Sequence, residues 1–286
     1  MAKIAIVTDS TTCPTKEQQE KYQFEIVPLN ILFEGKVYRE WIDLSPIEAY
    51  RFIEKNPDDF ATSAPSPGDF LKAYKRAAEK GKKEILCIAL ASGLSATWNS
   101  AKMAQELAKT EIPETKIEVI DSRTGACAET ILCIKAANLV EEGKNFKEVV
   151  QFVENSKNRV KGYLLLETIR YIYRSGRIPE AASKIGALLP LKPILGLFDN
   201  KLHLSGAATS KQGSFNKLLK ILKDSFDMNL PEIGIQHADS LAEAIALQKM
   251  ILEKIPQAKI FISEFSPVMG YACGRGTLLI GFFTKG

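Results

Sequence analysis

Ile85-Leu86-Cys87-Ile88-Ala89-Leu90-Ala91-Ser92-Gly93-Leu94-Ser95-Ala96-Thr97 is an apolar run that ends in a turn of small and hydroxylated residues and passes directly into a helical pattern, Ser95 to Lys109. A short apolar run bounded in this way reads as a buried strand that delivers its carboxyl end to a loop and then to a helix. The same unit recurs outward from it. Upstream, Ile4 to Val7 and Phe24 to Leu29 are apolar runs and Pro67 to Lys80 is a helical pattern; downstream, Ile117 to Ile120 is a further strand. Strands that alternate with helices imply a parallel sheet covered on both faces, a doubly wound α/β domain. Ligands of such sheets bind at the carboxyl ends of the strands.

Four stretches rich in hydroxyls follow or flank these runs: Val7-Thr8-Asp9-Ser10-Thr11-Thr12, Ala61-Thr62-Ser63-Ala64-Pro65-Ser66-Pro67, Ala91-Ser92-Gly93-Leu94-Ser95-Ala96-Thr97 and Val119-Ile120-Asp121-Ser122. Three come straight after a strand and should gather on one sheet edge, while Thr62 sits on a Pro-rich loop that could fold over it. Neutral hydroxyls, with the free N–H groups and positive dipole of helix N-termini, suit an anion held without covalent chemistry. The competing reading is that each stretch only caps a helix. Asp9 and Asp121 are strand-end carboxylates that would oppose a bound anion if ionised beside it. They are expected to accept backbone N–H bonds and brace the loops.

A second regime begins near residue 158. Gly162 to Leu166 reads as a strand, followed by a helix through Tyr173 and a stop at Ser175-Gly176. Lys192 to Phe198 and Lys201 to Ala207, joined around Asp199-Asn200, read as a hairpin. Ile233 to His237 and Lys259 to Glu264 read as strands flanking a helix from Leu241 to Lys254, and Gly276 to Phe283 as a last strand. The expected organisation is therefore a parallel-sheet α/β domain over 1–157 and a mixed α/β domain over 158–286, a size that the 286 residues readily supply.

The 38 basic and 34 acidic residues leave a net charge of +4 without a long Lys/Arg block, so nothing points to nucleic acid. Strand character from residue 3 onward leaves no space for a signal peptide ahead of it, and the longest apolar region, Ile185 to Phe198, is broken by Pro190, Lys192 and Pro193. A soluble, cytoplasmic protein without stable membrane insertion is expected. Cys13, Cys87, Cys127, Cys133 and Cys273 form no C-x-x-C pair and read as reduced core thiols. With only His203 and His237 in the chain, neither a His-based metal site nor a cofactor is expected.

An enzymatic reading also starts from the opening stretch. A strand, a turn with Ser95 and a helix approximate the nucleophile elbow of α/β-hydrolases, with Thr97 where that motif has Gly. A triad would need Ser95, Asp121 and His203 or His237.

Taken in order, Thr8-Asp9-Ser10, Thr62-Ser63-Ala64-Pro65-Ser66-Pro67, Ser92-Gly93-Leu94-Ser95-Ala96-Thr97-Trp98-Asn99-Ser100-Ala101 and Val119-Ile120-Asp121-Ser122 are followed by Tyr171-Ile172-Tyr173-Arg174-Ser175-Gly176-Arg177-Ile178, Leu191-Lys192-Pro193-Ile194-Leu195 and Val268-Met269-Gly270. This succession resembles the DegV family of bacterial fatty-acid-binding proteins over nearly the whole chain. The resemblance implies two α/β domains with an apolar tunnel between them that holds one long-chain fatty acid. It also implies a non-catalytic carrier that presents the acyl carboxylate to a partner fatty acid kinase. Thr62, Ser63, Ser92 and Ser95 become the head-group candidates, and Arg174, Arg177 and Lys192 candidates to face the anionic head group or to dock the kinase. Burying a chain of roughly fourteen methylenes at about 0.8 kcal/mol each supplies on the order of 11 kcal/mol before the costs of binding. The head group then sets orientation, through hydrogen bonds worth about 1.5–3 kcal/mol each when one partner is charged.

One segment departs from the family pattern. In Gly270-Tyr271-Ala272-Cys273-Gly274-Arg275-Gly276, Ala272 stands where many members have His and Arg275 where they have Pro. Loss of that imidazole should cost about 1–3 kcal/mol of head-group grip. Either Arg275 or Tyr271 supplies a replacement donor, or the pocket takes a different lipid or an uncharged head. A third class, a purely protein-binding module, would be marked by an empty tunnel.

Overall fold

The computed structural model describes residues 3–56, 58–178 and 191–285. In the first half the strands are β1 (Ile4–Asp9), β2 (Glu25–Val27), β3 (Asn30–Phe33), β4 (Lys36–Arg39), β5 (Ala61–Ser63), β6 (Glu84–Ala89) and β7 (Lys116–Asp121). In the second they are β8 (Val160–Leu165), β9 (Lys192–Phe198), β10 (Lys201–Ala208), β11 (Glu232–His237), β12 (Lys259–Glu264) and β13 (Leu278–Phe283). Part of the apolar region singled out from the sequence, 185–190, lies outside the described residues.

β2-β1-β6-β7 form a four-stranded sheet, all pairs parallel. Its strands are apolar on both faces because both are covered. Phe70, Ala73, Tyr74 and Ala77 of helix Pro67–Glu79, with Ala101, Ala104 and Ala108 of helix Thr97–Glu111, pack on Val7, Ile85, Cys87 and Ile117. On the other side Ile131, Leu132 and Cys133 of helix Ala126–Glu141 meet Ile4, Ile6, Leu86, Ile88 and Ile120. The doubly wound expectation holds. Ser66 opens helix Pro67–Glu79 with a reciprocal capping box to Asp69 and Pro at its first turn, the arrangement that satisfies otherwise orphaned donors.

The second sheet is mixed, in the order β10-β9-β8-β13-β11-β12. β9 and β10 are the expected hairpin. Asp199 and Asn200 both have positive φ, 52° and 64°, which is what a two-residue hairpin turn with the right twist requires. Helices Lys211–Ser225 and Leu241–Lys254 cover one face through Phe215, Leu218, Leu222, Leu247 and Ile251.

Helix Ala126–Glu141 covers the other face and so lies between the two sheets. It is buried almost all round, including Ala126 to Ile134, as a helix without a polar face must be. It settles into a trough of the second sheet, where Gly162, Gly281 and Gly234 lie side by side across β8, β13 and β11. A Cβ at Gly281 would stand 2.5 Å from the Ala128 backbone N, and one at Gly234 2.5 Å from the Cys127 Cβ.

A third sheet, β4-β3-β5, was not expected. Together with helix Pro46–Lys55 it forms an insertion after β2, whose core of Ile31, Phe33, Leu44 and Phe60 also receives Val268 and Tyr271 of helix Pro267–Cys273 from the second half of the chain. Thr62 is therefore corrected from a Pro-rich loop to a strand, paired with Ile31 across β3 and β5. All five cysteines are free and buried. Among the described residues no helix is long and apolar enough to cross a membrane.

Candidate functional site

The carboxyl ends of β1, β6 and β7 are braced as the two aspartates suggested. Asp9 caps the short 3-10 turn Ser10–Thr12, accepting from the Thr11 N–H at 3.0 Å and the Thr11 hydroxyl at 2.5 Å, and takes the Leu90 N–H at 2.8 Å. One carboxylate thus ties β1 to the end of β6. Burial raises its pKa above the ordinary carboxylate value. Asp121 accepts from the Ser92 hydroxyl at 2.6 Å, the Ser92 N–H at 3.2 Å and the Arg123 N–H at 3.0 Å. The Ser92 Oγ therefore directs its single proton to Asp121 and presents only lone pairs elsewhere. Ser95 accepts from the Thr97 N–H at 3.3 Å and shares a 2.8 Å hydroxyl contact with Thr97, which gives it part of a capping role.

The loop carrying these serines leans on the second domain. A Cβ at Gly93 would fall 2.0 Å from the Asn200 carbonyl oxygen, so the β9–β10 turn touches the loop backbone and glycine is needed there. The Thr124 hydroxyl donates to the Leu197 carbonyl at 3.3 Å beside it. Below this contact lies an apolar cavity. Leu90 and Leu94 wall it from the first domain, Leu164, Ile172, Leu197 and Leu202 from the second, and Val268, Met269 and Ala272 from helix Pro267–Cys273. Its polar lining comprises Thr11, Ser95 and Arg177.

Of the residues expected from sequence, the structure brings Ser95 and Arg177 to this cavity, with Ala272 beside them. Thr62 is half-buried on the inward strand face that it shares with the fully buried Ile31. Ser63 cannot join it. Successive strand residues point to opposite faces, and Ser63 is exposed beside Asn30. Arg275 is also corrected. Its guanidinium reaches Glu54 at 2.5 Å and Asp239 at 3.2 Å and lies 4.7 Å over the Tyr50 ring, so it fastens helix Pro46–Lys55 to the second domain and does not line the cavity. Tyr271 turns away as well, stacked on Phe60 at 4.7 Å. Neither replacement donor for the missing imidazole is thus in position.

Arg174 is exposed and lies over the rings of Tyr171 and Tyr271, at 5.5 and 5.1 Å. Lys192 is bound to Glu167, which also holds Lys211 at 2.7 Å, so its charge is already neutralised. The hydrolase arrangement does not assemble. His203 stacks on Phe198 at 4.5 Å, and His237 accepts from the Ser240 N–H through Nδ1; neither bonds to Ser95 among the described residues.

Glu40, bonded to the cavity-lining Val268, is a residue that sequence reasoning missed. It is fully buried in the insertion, takes the Ser10 hydroxyl proton, and accepts the Val268 N–H at 2.9 Å at the start of the helix that carries Met269 and Ala272. Burial pushes its carboxyl up to about 7. Nothing in the polar run Arg39-Glu40-Trp41 signals that position.

A doubly wound sheet and a mixed sheet that share a helix, with an apolar cavity walled by both, define a two-domain α/β protein. The family profile described as "Uncharacterised protein, DegV family" matches residues 3–285, and the chain belongs to the DegV family. It is 30% identical to protein DegV of Bacillus subtilis over 280 residues, covering 96% of this chain and 97% of that one. The crystal structure of Bacillus subtilis DegV, described as a fatty acid binding protein, superposes with a TM-score of 0.87 at 27% identity and 100% coverage of both chains. The fold is also that of the Streptococcus pneumoniae Fatty Acid Kinase (Fak) B3 protein loaded with linoleic acid, with a TM-score of 0.86, 23% identity and 99% coverage of each chain.

Proposed function

We propose that this protein is a cytoplasmic, non-catalytic carrier of one long-chain fatty acid, held in the cavity between the two sheets. The observation that carries the reading is the cavity's make-up: leucine, isoleucine, valine and methionine from both domains, with Thr11, Ser95 and Arg177 as the polar complement. Arg177 supplies a permanent charge and a planar donor fork suited to a carboxylate. Ser95 and, from the inner face of β5, Thr62 supply hydroxyls. Ser92, its proton held by Asp121, braces the loop that carries Ser95. The cavity volume is about 60 Å³, two water molecules' worth at about 30 Å³ each. An acyl chain is therefore admitted only when the cavity walls move apart.

Mass spectrometry of lipid released by denaturing the purified protein tests this reading. The expected result is one long-chain fatty acid per chain; no lipid, or a lipid without a carboxylate, sinks it. Because Ala272 lines the cavity, Ala272→His should restore an imidazole donor and tighten fatty acid binding about tenfold relative to the matching fatty alcohol, the equivalent of about 1.4 kcal/mol.

The kinase-partner reading rests on Arg174, an exposed cation two residues along the chain from the cavity-lining Ile172, whose position on Tyr171 and Tyr271 is set by stacking. Arg174→Glu should leave lipid content unchanged and lower turnover by a fatty acid kinase at least fivefold. Equal turnover removes Arg174 from the docking surface.

A further inference from the structure

Helices Lys211–Ser225 and Leu241–Lys254 end at the sheet edge where β11 and β12 begin, at Glu232 and Lys259. The acyl cavity lies at the other edge, beside Leu164 near the end of β8. Between the two helix ends is a groove of about 520 Å³, within the roughly 300–1,000 Å³ of small-ligand sites.

Its floor is apolar, made of Leu219, Leu222, Phe226, Met228 and Ile255. Leu222, Phe226 and Ile255 belong to the core, while Met228 is 48% exposed and is steadied by a contact from the Gln257 amide to its sulfur at 3.4 Å.

Four exposed lysines form the rim: Lys220, Lys223, Lys254 and Lys285. Among the described residues no carboxylate lines the groove. Among the described residues Lys220, Lys223 and Lys254 form no ion pair, and the Lys285 ammonium reaches only the Asp224 backbone carbonyl, at 3.3 Å. Lys223 and Lys254 sit in the last turns of their helices, where a cation complements the dipole. That explains two of the four and leaves Lys220, Lys285 and the hollow between them unexplained. Like charges around an apolar floor repel one another and focus a positive potential over it. The matching ligand is apolar along its length and anionic at one end.

We propose that this groove is a second site, separate from the acyl cavity, for a monomeric amphipathic anion: an aliphatic chain laid on Leu219, Phe226 and Met228 with a terminal phosphate or carboxylate among the lysines. The test uses the full chain carrying one equivalent of fatty acid, bound in its acyl cavity, with no free fatty acid in excess. Methyl resonances of Met228 and Ile255 report on the groove, and that of Met269 on the acyl cavity.

Dodecyl phosphate, kept below its micellar concentration, should shift Met228 and Ile255 saturably and leave Met269 in place. Lys220→Glu/Lys223→Glu/Lys254→Glu should weaken that binding at least tenfold with the circular dichroism spectrum unchanged. Inorganic phosphate and dodecanol should each bind at least tenfold more weakly than dodecyl phosphate. Shifts confined to Met269, or affinity indifferent to the lysines or to the phosphate, would overturn the proposal. So would a response to phosphatidylglycerol vesicles without one to dodecyl phosphate, which would make the face a membrane-contact surface. Because Met269 is read in the same spectra, failure of the groove and failure of the acyl cavity are separately visible.

Discussion

Gly281→Val is expected to cost about 3 kcal/mol or more of stability, a large share of the roughly 5–15 kcal/mol that holds a domain of ordinary size. The added Cβ alone would stand 2.5 Å from the Ala128 N and 2.7 Å from its Cα, inside any tolerable contact. The neighbour is helix backbone, which cannot rotate aside as a side chain does. β13 cannot retreat either, because Gly281 is paired with Gly162 on one side and Gly234 on the other. The strain must lift helix Ala126–Glu141 from the sheet and open voids around Cys127 and Leu279. Urea unfolding of the variant measures the loss. Gly68→Ala is the control, since a Cβ there meets only the Ser66 Oγ at 3.6 Å, and it should shift the midpoint very little. A Gly281→Val midpoint equal to that of the control would show the trough to be more yielding than its geometry implies.

Glu40 gives the second large effect, and its sign follows from burial. The folded protein holds this carboxyl at about 7 against an ordinary 4.5, so the folded state binds its proton more tightly than the unfolded chain does. The resulting stability is complete below about pH 4.5 and is lost as pH climbs through 7, a swing of about 3 kcal/mol at 1.36 kcal/mol per pH unit. Glu40→Gln keeps the shape and carries no charge at any pH. Its oxygen can accept from Val268 while its amide faces the Ser10 oxygen. The difference in unfolding free energy between variant and wild type should therefore move in favour of Gln by about 3 kcal/mol between pH 4.5 and 8. Asp9 and Glu129 are also buried with raised pKa values, but they are present in both proteins, so only the part of their titration coupled to Glu40 enters the difference. A difference that stays flat over that range would mean that Glu40 remains ionised in the folded protein.

The parts of the fold that could be read in advance are those where one short segment carries its own pattern. The apolar runs of β1, β6 and β7 fall within a residue or two of their expected places, and Asp199-Asn200 marks a turn because few other residues accept positive φ. The insertion was missed although Phe33-Glu34-Gly35-Lys36 holds a two-residue turn, with φ of 47° at Glu34 and 73° at Gly35; its strands are only four residues long and are easily taken for loop. Helix Ala126–Glu141 escaped for the opposite reason. A helix buried on every side has no periodic polar face to announce it.

The site was legible by residue type and not by direction. Thr62 and Ser63 are neighbours in sequence and look equivalent there, but the strand pleat turns one inward and the other to solvent. Arg275 looked available because its partners, Glu54 and Asp239, lie in distant segments of the chain. Arg177 reaches the cavity because the chain stops its short helix at Ser175-Gly176 and turns back.

The glycine trough has a mechanical consequence. The helix seated in it is the common wall of both domains, so the two sheets cannot swing apart like the halves of a clamshell without pulling buried backbone out of close contact. Cargo exchange must then use a smaller moving part. The insertion with helix Pro46–Lys55 is joined across the gap by the Arg275–Glu54 bridge, by the Glu40 carboxyl and by Val268 and Tyr271 packed in its core, ties made through side chains where the glycine seam sets backbone against backbone. On the proposed carrier function, loading and release would then fall to the insertion, a hatch on a rigid body with Glu40 and Arg275 among its fasteners.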